Sequence, residues 1–156
     1  MKIRIAEKKD FKELINLWAY FIVDHEKRFG REGLKKNYKE IYGKILKDKL
    51  KSRKNLVLVA ENNGEIIGFV SILIEKETPI YKDKKYGVFE DIFIIKSFRG
   101  KGIFNKFYRE SLRWLIKNKV NIVISKINVK NKKVIKLYEC KGFKNDYLTM
   151  TKIIKK

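Results

Sequence analysis

The stretch Phe98-Arg99-Gly100-Lys101-Gly102-Ile103 restricts this chain more than any other. It follows an apolar run, Ile92-Phe93-Ile94-Ile95, and precedes residues 104–116, where Phe104, Phe107, Tyr108, Leu112 and Leu115 recur at helical spacing. The pattern predicts a strand, a tight glycine turn and then a helix. Glycines at such a turn let backbone N–H groups face a ligand with no Cβ in the way. The helix start contributes unpaired N–H groups and the positive end of a dipole. Arg99 and Lys101 add two cations, and the whole reads as a diphosphate cradle.

Two familiar cradles are excluded. A Walker loop requires G-x-x-x-x-G-K-[ST], which occurs nowhere in the chain. A dinucleotide fingerprint requires a third glycine where Asn105 stands, and it normally follows the first strand. This turn lies past the midpoint.

Periodicity orders the remaining elements. Residues 2–6 alternate as a short strand. Phe11, Leu14, Ile15 and Trp18 mark a first helix. The polar residues 24–33, with two glycines, read as a loop or helix break. Leu34, Tyr38, Ile41 and Ile45 mark a second helix. Strands are expected at 56–61 and 66–75, joined through Asn62-Asn63-Gly64, a good hairpin turn. Residues 78–86 form a loop with the only proline, and 88–95 form the central strand. A strand at 122–127, a helix at 131–141 and a final strand at 147–154 complete the order β-α-α-β-β-β-α-β-α-β.

At 156 residues the chain is read as one domain, 1–156, large enough to bury a core. No apolar run approaches the ~20 residues of a membrane span. The charged start from Lys2 lacks a signal-peptide pattern, and one cysteine excludes an intrachain disulfide framework. A cytoplasmic protein without a membrane partner, monomer or homodimer, is expected. The net charge of +21 attracts polyanions: nucleic acid, acidic lipid or a phosphate-rich ligand. The lysines are scattered along the chain rather than gathered in one tail, which favours a generally basic surface over a dedicated nucleic-acid site.

A second motif lies downstream. Asn131-Lys132-Lys133-Val134-Ile135-Lys136-Leu137-Tyr138-Glu139-Cys140-Lys141-Gly142-Phe143 resembles N-x-x-[AV]-x-x-L-Y-E-x-x-G-F. That signature belongs to the GNAT superfamily of acetyl-CoA-dependent N-acetyltransferases. Glu90-Asp91-Ile92-Phe93-Ile94 with Arg99-Gly100-Lys101-Gly102-Ile103 is similar to the same family's acyl-CoA motif, [QR]-x-x-G-x-[GA] after its fourth strand. The resemblance extends over the whole chain. It implies an α/β GNAT fold, a mixed and mostly antiparallel sheet flanked by helices. One departure stands out: the motif's last small position holds Phe104.

The resemblance implies acetyl transfer from acetyl-CoA to a primary amine, directly and in a ternary complex. Arg99, Gly100, Lys101, Gly102, Ile103, Phe104 and Asn105 would hold the pyrophosphate. The main chain of Ile92, Phe93 and Ile94 would bond the pantetheine arm like an added strand. Asn131 matches the family's N-cap asparagine, which contacts the cofactor or a water and also caps its helix. An alkylamine near pKa 10 must lose a proton at neutral pH. Glu90, just upstream of the pantetheine segment, is the expected base, and Tyr138 the expected acid for the departing thiolate. Strand alternation places Glu90 and Asp91 on opposite faces unless a bulge intervenes. A backbone N–H near Ile94 could meet the oxyanion. Lys126 stands where the branch that acetylates protein N-termini places its glutamate, which disfavours that plan.

Cys140 has no neighbouring histidine and is not read as a nucleophile. His25, in Asp24-His25-Glu26, is a surface residue or a substrate contact. Trp18 and Trp114 are read as packing residues, and no metal-ligand cluster is seen. The acceptor, a small molecule or a protein N-terminus or lysine, stays open. The rival function is a basic nucleic-acid or ribosome-associated binding module on the same fold, with vestigial catalysis.

Overall fold

The computed structural model describes residues 1–30, 33–82, 85–152 and 154. They form two compact units, Met1–Lys126 and Ile127–Lys156. The first unit holds β1 (Lys2–Ile5), α1 (Phe11–Phe29), α2 (Tyr38–Lys51), β2 (Asn55–Asn62), β3 (Glu65–Lys76), β4 (Lys85–Ile94), α3 (Ile103–Lys117) and β5 (Val123–Ser125). The second holds α4 (Lys132–Glu139). No helix among the described residues is long and apolar enough to cross a membrane.

The five strands lie in the order β1-β2-β3-β4-β5. The first three neighbouring pairs are antiparallel and β4–β5 is parallel. The sheet is mixed and mostly antiparallel, as expected. Asn63 and Gly64, at φ 52° and 84°, turn the β2–β3 hairpin. Two consecutive left-handed residues match the twist of the strands they join. β5 is shorter than the expected 122–127. It pairs only with Gly87, Val88 and Phe89, so within this unit the β5 side of β4 is open from Glu90 onward.

α1 and α2 cover one face. Leu14, Tyr42 and Leu46 pack there with Val57, Val59, Phe69 and Phe93 from the strands. Full burial of a leucine such as Leu46 contributes about 1.5–3 kcal/mol. α3 buries Ile103, Phe107 and Leu115. Leu115 lies so close to β4 that a Cβ on Gly87 would sit 2.6 Å from its Cδ2, and a larger residue there would require the Leu115 side chain to shift.

Two expectations are corrected. Residues 24–29 are helical rather than a loop, because α1 continues to Phe29. Arg28 pairs with Asp24 one turn back, and the His25 ring packs between Phe21 and Phe29. Such pairs at one-turn spacing stabilise a polar helical turn. Arg31 and Glu32, in the same predicted loop, lie outside the described residues. The final strand at 147–154 is not formed among the described residues, Ile153 lying outside them. Tyr147, Leu148 and Met150 are 95%, 77% and 86% exposed. Residues of both parities face solvent, so the alternation gains no buried face, and burial is what fixes a strand's register.

The end of β1 is fixed by ions. Arg4 donates to both carboxylate oxygens of Asp10 at 2.6 and 2.8 Å, and to Glu61 at 2.6 Å. Asp10 is 5% exposed and also accepts the Glu7 N–H. Arg4's hydrogen bond lowers the Asp10 pKa, outweighing the opposing cost of burial. Stability from this depressed group is present above the ordinary aspartate value and is lost as pH falls through the folded value. Arg4→Met strands a buried carboxylate and should cost about 3–5 kcal/mol in urea melts near neutral pH. The loss should shrink in acid, where Asp10 is protonated.

Candidate active site

Antiparallel pairing of β3 and β4 holds a bulge. Ser71 opposes Asp91 and Ile72 opposes Phe89, so Glu90 is the extra residue. Regular alternation would place Phe89, Asp91 and Phe93 on one face. Here Phe89 stacks toward Tyr108 of α3, whereas Phe93 meets Tyr20 and Phe21 of α1. The bulge flips the strand between them, the ordinary effect of one inserted residue. Glu90 and Asp91 consequently both turn toward α1 and α2.

The two carboxylates have different surroundings. Glu90 Oε2 accepts from Lys49 Nζ at 2.6 Å and from Ser71 Oγ at 2.9 Å, and Lys49 also reaches Ser71 at 3.1 Å. Lys49 is 13% exposed and Glu90 25%. Asp91 has no ion pair among the described residues. Burial pushes its pKa up; Lys49 pulls it down, Glu90 pushes it further up, and Trp18 and His25 act downward. The buried Trp18 indole N–H is directed at this carboxylate and lowers its pKa as a hydrogen-bond donor does, although the pair falls outside regular hydrogen-bond geometry. Tyr42 stacks on Trp18 at 3.7 Å and 3°, and its pKa is raised by burial and then by Asp91 and Glu90.

The glycine turn follows β4 through a short 3-10 turn at Lys96–Phe98. Gly100 and Gly102 have φ of 77° and 76°, the left-handed region that glycine tolerates. Beyond the flanking residues, no atom of the described residues lies within 4 Å of where a Cβ on either would stand. Gly102 is the N-cap of α3 and no side chain caps it, so the first-turn N–H groups stay available. Arg99 Nε donates to the Ile94 carbonyl at 2.8 Å and ties the turn to the strand end. Lys101 Nζ sits 4.9 Å from the Phe98 ring centre. Ile103 is buried and packs inward. The Phe104 ring stacks along the helix with Tyr108 at 6.1 Å and 12°.

In the second unit, Asn131 is the N-cap of α4, and its side chain makes no capping bond. Gly142 has φ 86°, and the Phe143 N–H returns to the Tyr138 carbonyl at 3.2 Å. This is a Schellman closure, which makes glycine the favoured residue after the helix. It also sets the Phe143 ring edge-on to Tyr138 at 4.9 Å. Tyr138 is buried and Cys140 exposed. No metal-holding group of side chains occurs among the described residues.

Two residues escaped the sequence reading. Lys49 lies on the stripe of Tyr42 and Leu46, and a lysine on an apolar stripe was the available signal. Ser71 interrupts the run Ile66-Ile67-Gly68-Phe69-Val70 and Ile72-Leu73 as its single hydroxyl. Asp24 and Glu26 do not join the cluster through their bonds: Asp24 pairs with Arg28, and Glu26 accepts the Gly33 N–H at 2.8 Å.

Comparison with known proteins adds an independent line. Residues 16–143 match the family model described as acetyltransferase (GNAT) family. An uncharacterized N-acetyltransferase of Archaeoglobus fulgidus is 29% identical over 116 residues, covering 74% of each chain. A Bacillus halodurans protein solved as a tetramutant superposes with a TM-score of 0.86 at 19% identity, over 99% of this chain and all of that one. A predicted acetyltransferase of Clostridium acetobutylicum, solved with acetyl-CoA, gives 0.78 at 21% identity, over 96% and 95%.

Burial of Asp91 has a consequence for stability. Its folded pKa is raised, so its contribution is full below about pH 3.8, the ordinary value, and is lost as pH rises through the folded value. Asp91→Asn removes that loss. Thermal melts should show the variant gaining on the wild type between acid and neutral pH; a constant difference would mean that the carboxylate is well solvated.

Proposed function

The chain belongs to the GNAT acetyltransferase family, and from that premise we propose that it moves an acetyl group from acetyl-CoA to a primary amine by direct transfer. The observation that carries this reading is the pair of left-handed glycines opening α3 directly after β4. A turn of this kind presents backbone N–H groups and a helix dipole to a diphosphate. Open space at both Cβ positions fits the close approach of such a group. Phe104, turned along the helix toward Tyr108, leaves the main chain of the turn as the binding element.

Acetyl-CoA supplies the thioester, an acyl carbon that an amine can attack. The chain's own groups supply the rest. Gly100, Lys101, Gly102, Ile103, Phe104 and Asn105 offer the main-chain cradle, with Arg99 holding its base to Ile94. Within the first unit, Ile92, Phe93 and Ile94 lie where β5 does not pair with β4, which suits an extended arm bonding like a strand. Asn131, unused as a cap, has its amide available for the cofactor. The carboxylates Glu90 and Asp91 stand at the bulge to take the acceptor's proton. Tyr138, with its ring fixed by the Schellman closure, is assigned the proton for the departing thiolate.

Acetyl-CoA should raise the melting temperature, because a ligand bound only by the folded state stabilises it by mass action. Gly102→Glu places a side chain and a negative charge in the cradle and should abolish the shift. An undiminished shift would put the site elsewhere. RNA binding with steep salt dependence and no acetyl-CoA shift would replace the reading by a polyanion-binding one.

Tyr138→Phe removes only a hydroxyl. Turnover of acetyl-CoA with a polyamine, an aminoglycoside and a lysyl peptide, followed by thiol release, should fall ~10²- to 10⁴-fold with cofactor affinity nearly unchanged. A drop below about threefold, with chemistry limiting the rate, reduces Tyr138 to packing.

A further inference from the structure

We propose that Asp91, rather than Glu90, receives the proton of the acceptor ammonium, and that Lys49 and Ser71 hold Glu90 as a positioning residue beside it. The inference rests on the acetyl-transfer reading above and divides the roles within its carboxylate pair.

The division follows from the bonds each carboxylate already has. Glu90 carries the Lys49 ammonium at 2.6 Å and the Ser71 hydroxyl at 2.9 Å on one oxygen. A proton taken up on its other oxygen would cancel the negative charge that compensates Lys49, 13% exposed, and weaken that short charge-assisted bond. Asp91 makes no ion pair among the described residues, and the donor acting on it is the neutral Trp18 indole. The bulge turns it to the same face as Glu90, one residue nearer the Ile92, Phe93 and Ile94 segment. The buried Trp18 indole N–H is directed at it as a neutral donor, outside regular hydrogen-bond geometry. A carboxylate approached by one neutral donor keeps acceptor capacity for a further polar group, an ammonium among them. The Trp18–Tyr42 stack at 3.7 Å fixes the indole's orientation. An acceptor ammonium near Asp91 is also the chemistry that two adjacent carboxylates, only one of them ion-paired among the described residues, favour.

The charged and titratable groups acting on Asp91 are Lys49 and Tyr42 from α2, His25 from α1 and Glu90 from its own strand. Burial raises the Asp91 pKa; Lys49 lowers it and Glu90 raises it again. The carboxylate is thereby made a better base than a solvated aspartate. One proton passes from R–NH₃⁺ to the Asp91 carboxylate. The free amine attacks the thioester carbon, so a C–N bond forms and the C–S bond breaks with its electron pair on sulfur. The second nitrogen proton balances the one that the thiolate takes up, and Asp91 returns its own proton to water.

The test compares Asp91→Asn, Glu90→Gln and Lys49→Met, using acetyl-CoA and the most reactive amine of the panel. Acetyl-CoA thermal shifts first establish that each variant folds and binds. Asp91→Asn should lower kcat/KM by ~10²- to 10⁴-fold at neutral pH and abolish the acid limb of its pH profile. Glu90→Gln should keep that limb at lower pH, because a charge raising the Asp91 pKa is gone. Lys49→Met should keep it at higher pH, because the charge lowering it is gone. Carbon-13 carboxyl NMR of the wild type, without any acceptor, should show Asp91 titrating above an ordinary aspartate. The inference is overturned if Asp91→Asn keeps its limb while Glu90→Gln loses it, or if Asp91 titrates at or below the ordinary value. A wild type that neither binds nor turns over acetyl-CoA removes the parent reading and this inference with it. Binding and turnover with the limb assigned to Glu90 removes this inference alone.

Discussion

One inserted residue in β4 organises the candidate site. Without the bulge at Glu90, Phe89 and Phe93 would share a face, and one of them would lose its helix. With it, the upstream half of β4 packs toward α3 and the downstream half toward α1. The sheet keeps both hydrophobic layers while two adjacent carboxylates reach one side. A strand of even alternation cannot do this, because its side-chain period of two separates neighbours.

The electrostatics follow from that geometry. Two carboxylates brought together repel one another, and burial penalises the charged form of Asp91. Lys49 offsets this from the end of α2, at a position where the helix otherwise presents apolar groups to the sheet. It pairs with one carboxylate and acts on the other from a greater distance. The two carboxylates thereby have unequal surroundings, Glu90 ion-paired and Asp91 without an ion pair among the described residues. A chain of net charge +21 thus keeps a locally acidic point, where the local arrangement rather than the total sets the chemistry.

The glycine turn works by different physics. It needs backbone conformation and free space rather than particular side chains, so scattered lysines neither make it nor spoil it. Ile103 and Phe107 anchor the helix start in the core, which leaves the turn itself outside. Phe104 is accommodated because the helix offers Tyr108 one turn on, and the ring stacks there.

The sequence by itself determined whatever depends on local backbone chemistry and on hydrophobic period. Gly100 and Gly102 announced the tight turn, Asn63-Gly64 announced the hairpin, and apolar spacing announced four helices and six strands, five of which form among the described residues. It misread residues 24–29 because a polar helical turn, held by Asp24–Arg28 and by rings on His25, has no apolar stripe to reveal it. It promised a strand at 147–154, where alternation is present but no buried face rewards it. Only the tertiary structure decided the bulge, since an extra residue is defined by what lies opposite it on β3. It alone brought Lys49, Ser71 and Glu90 together from three elements, and turned Asp91 toward Trp18. Such groupings depend on distances between residues far apart in the chain, and local sequence carries no record of those distances.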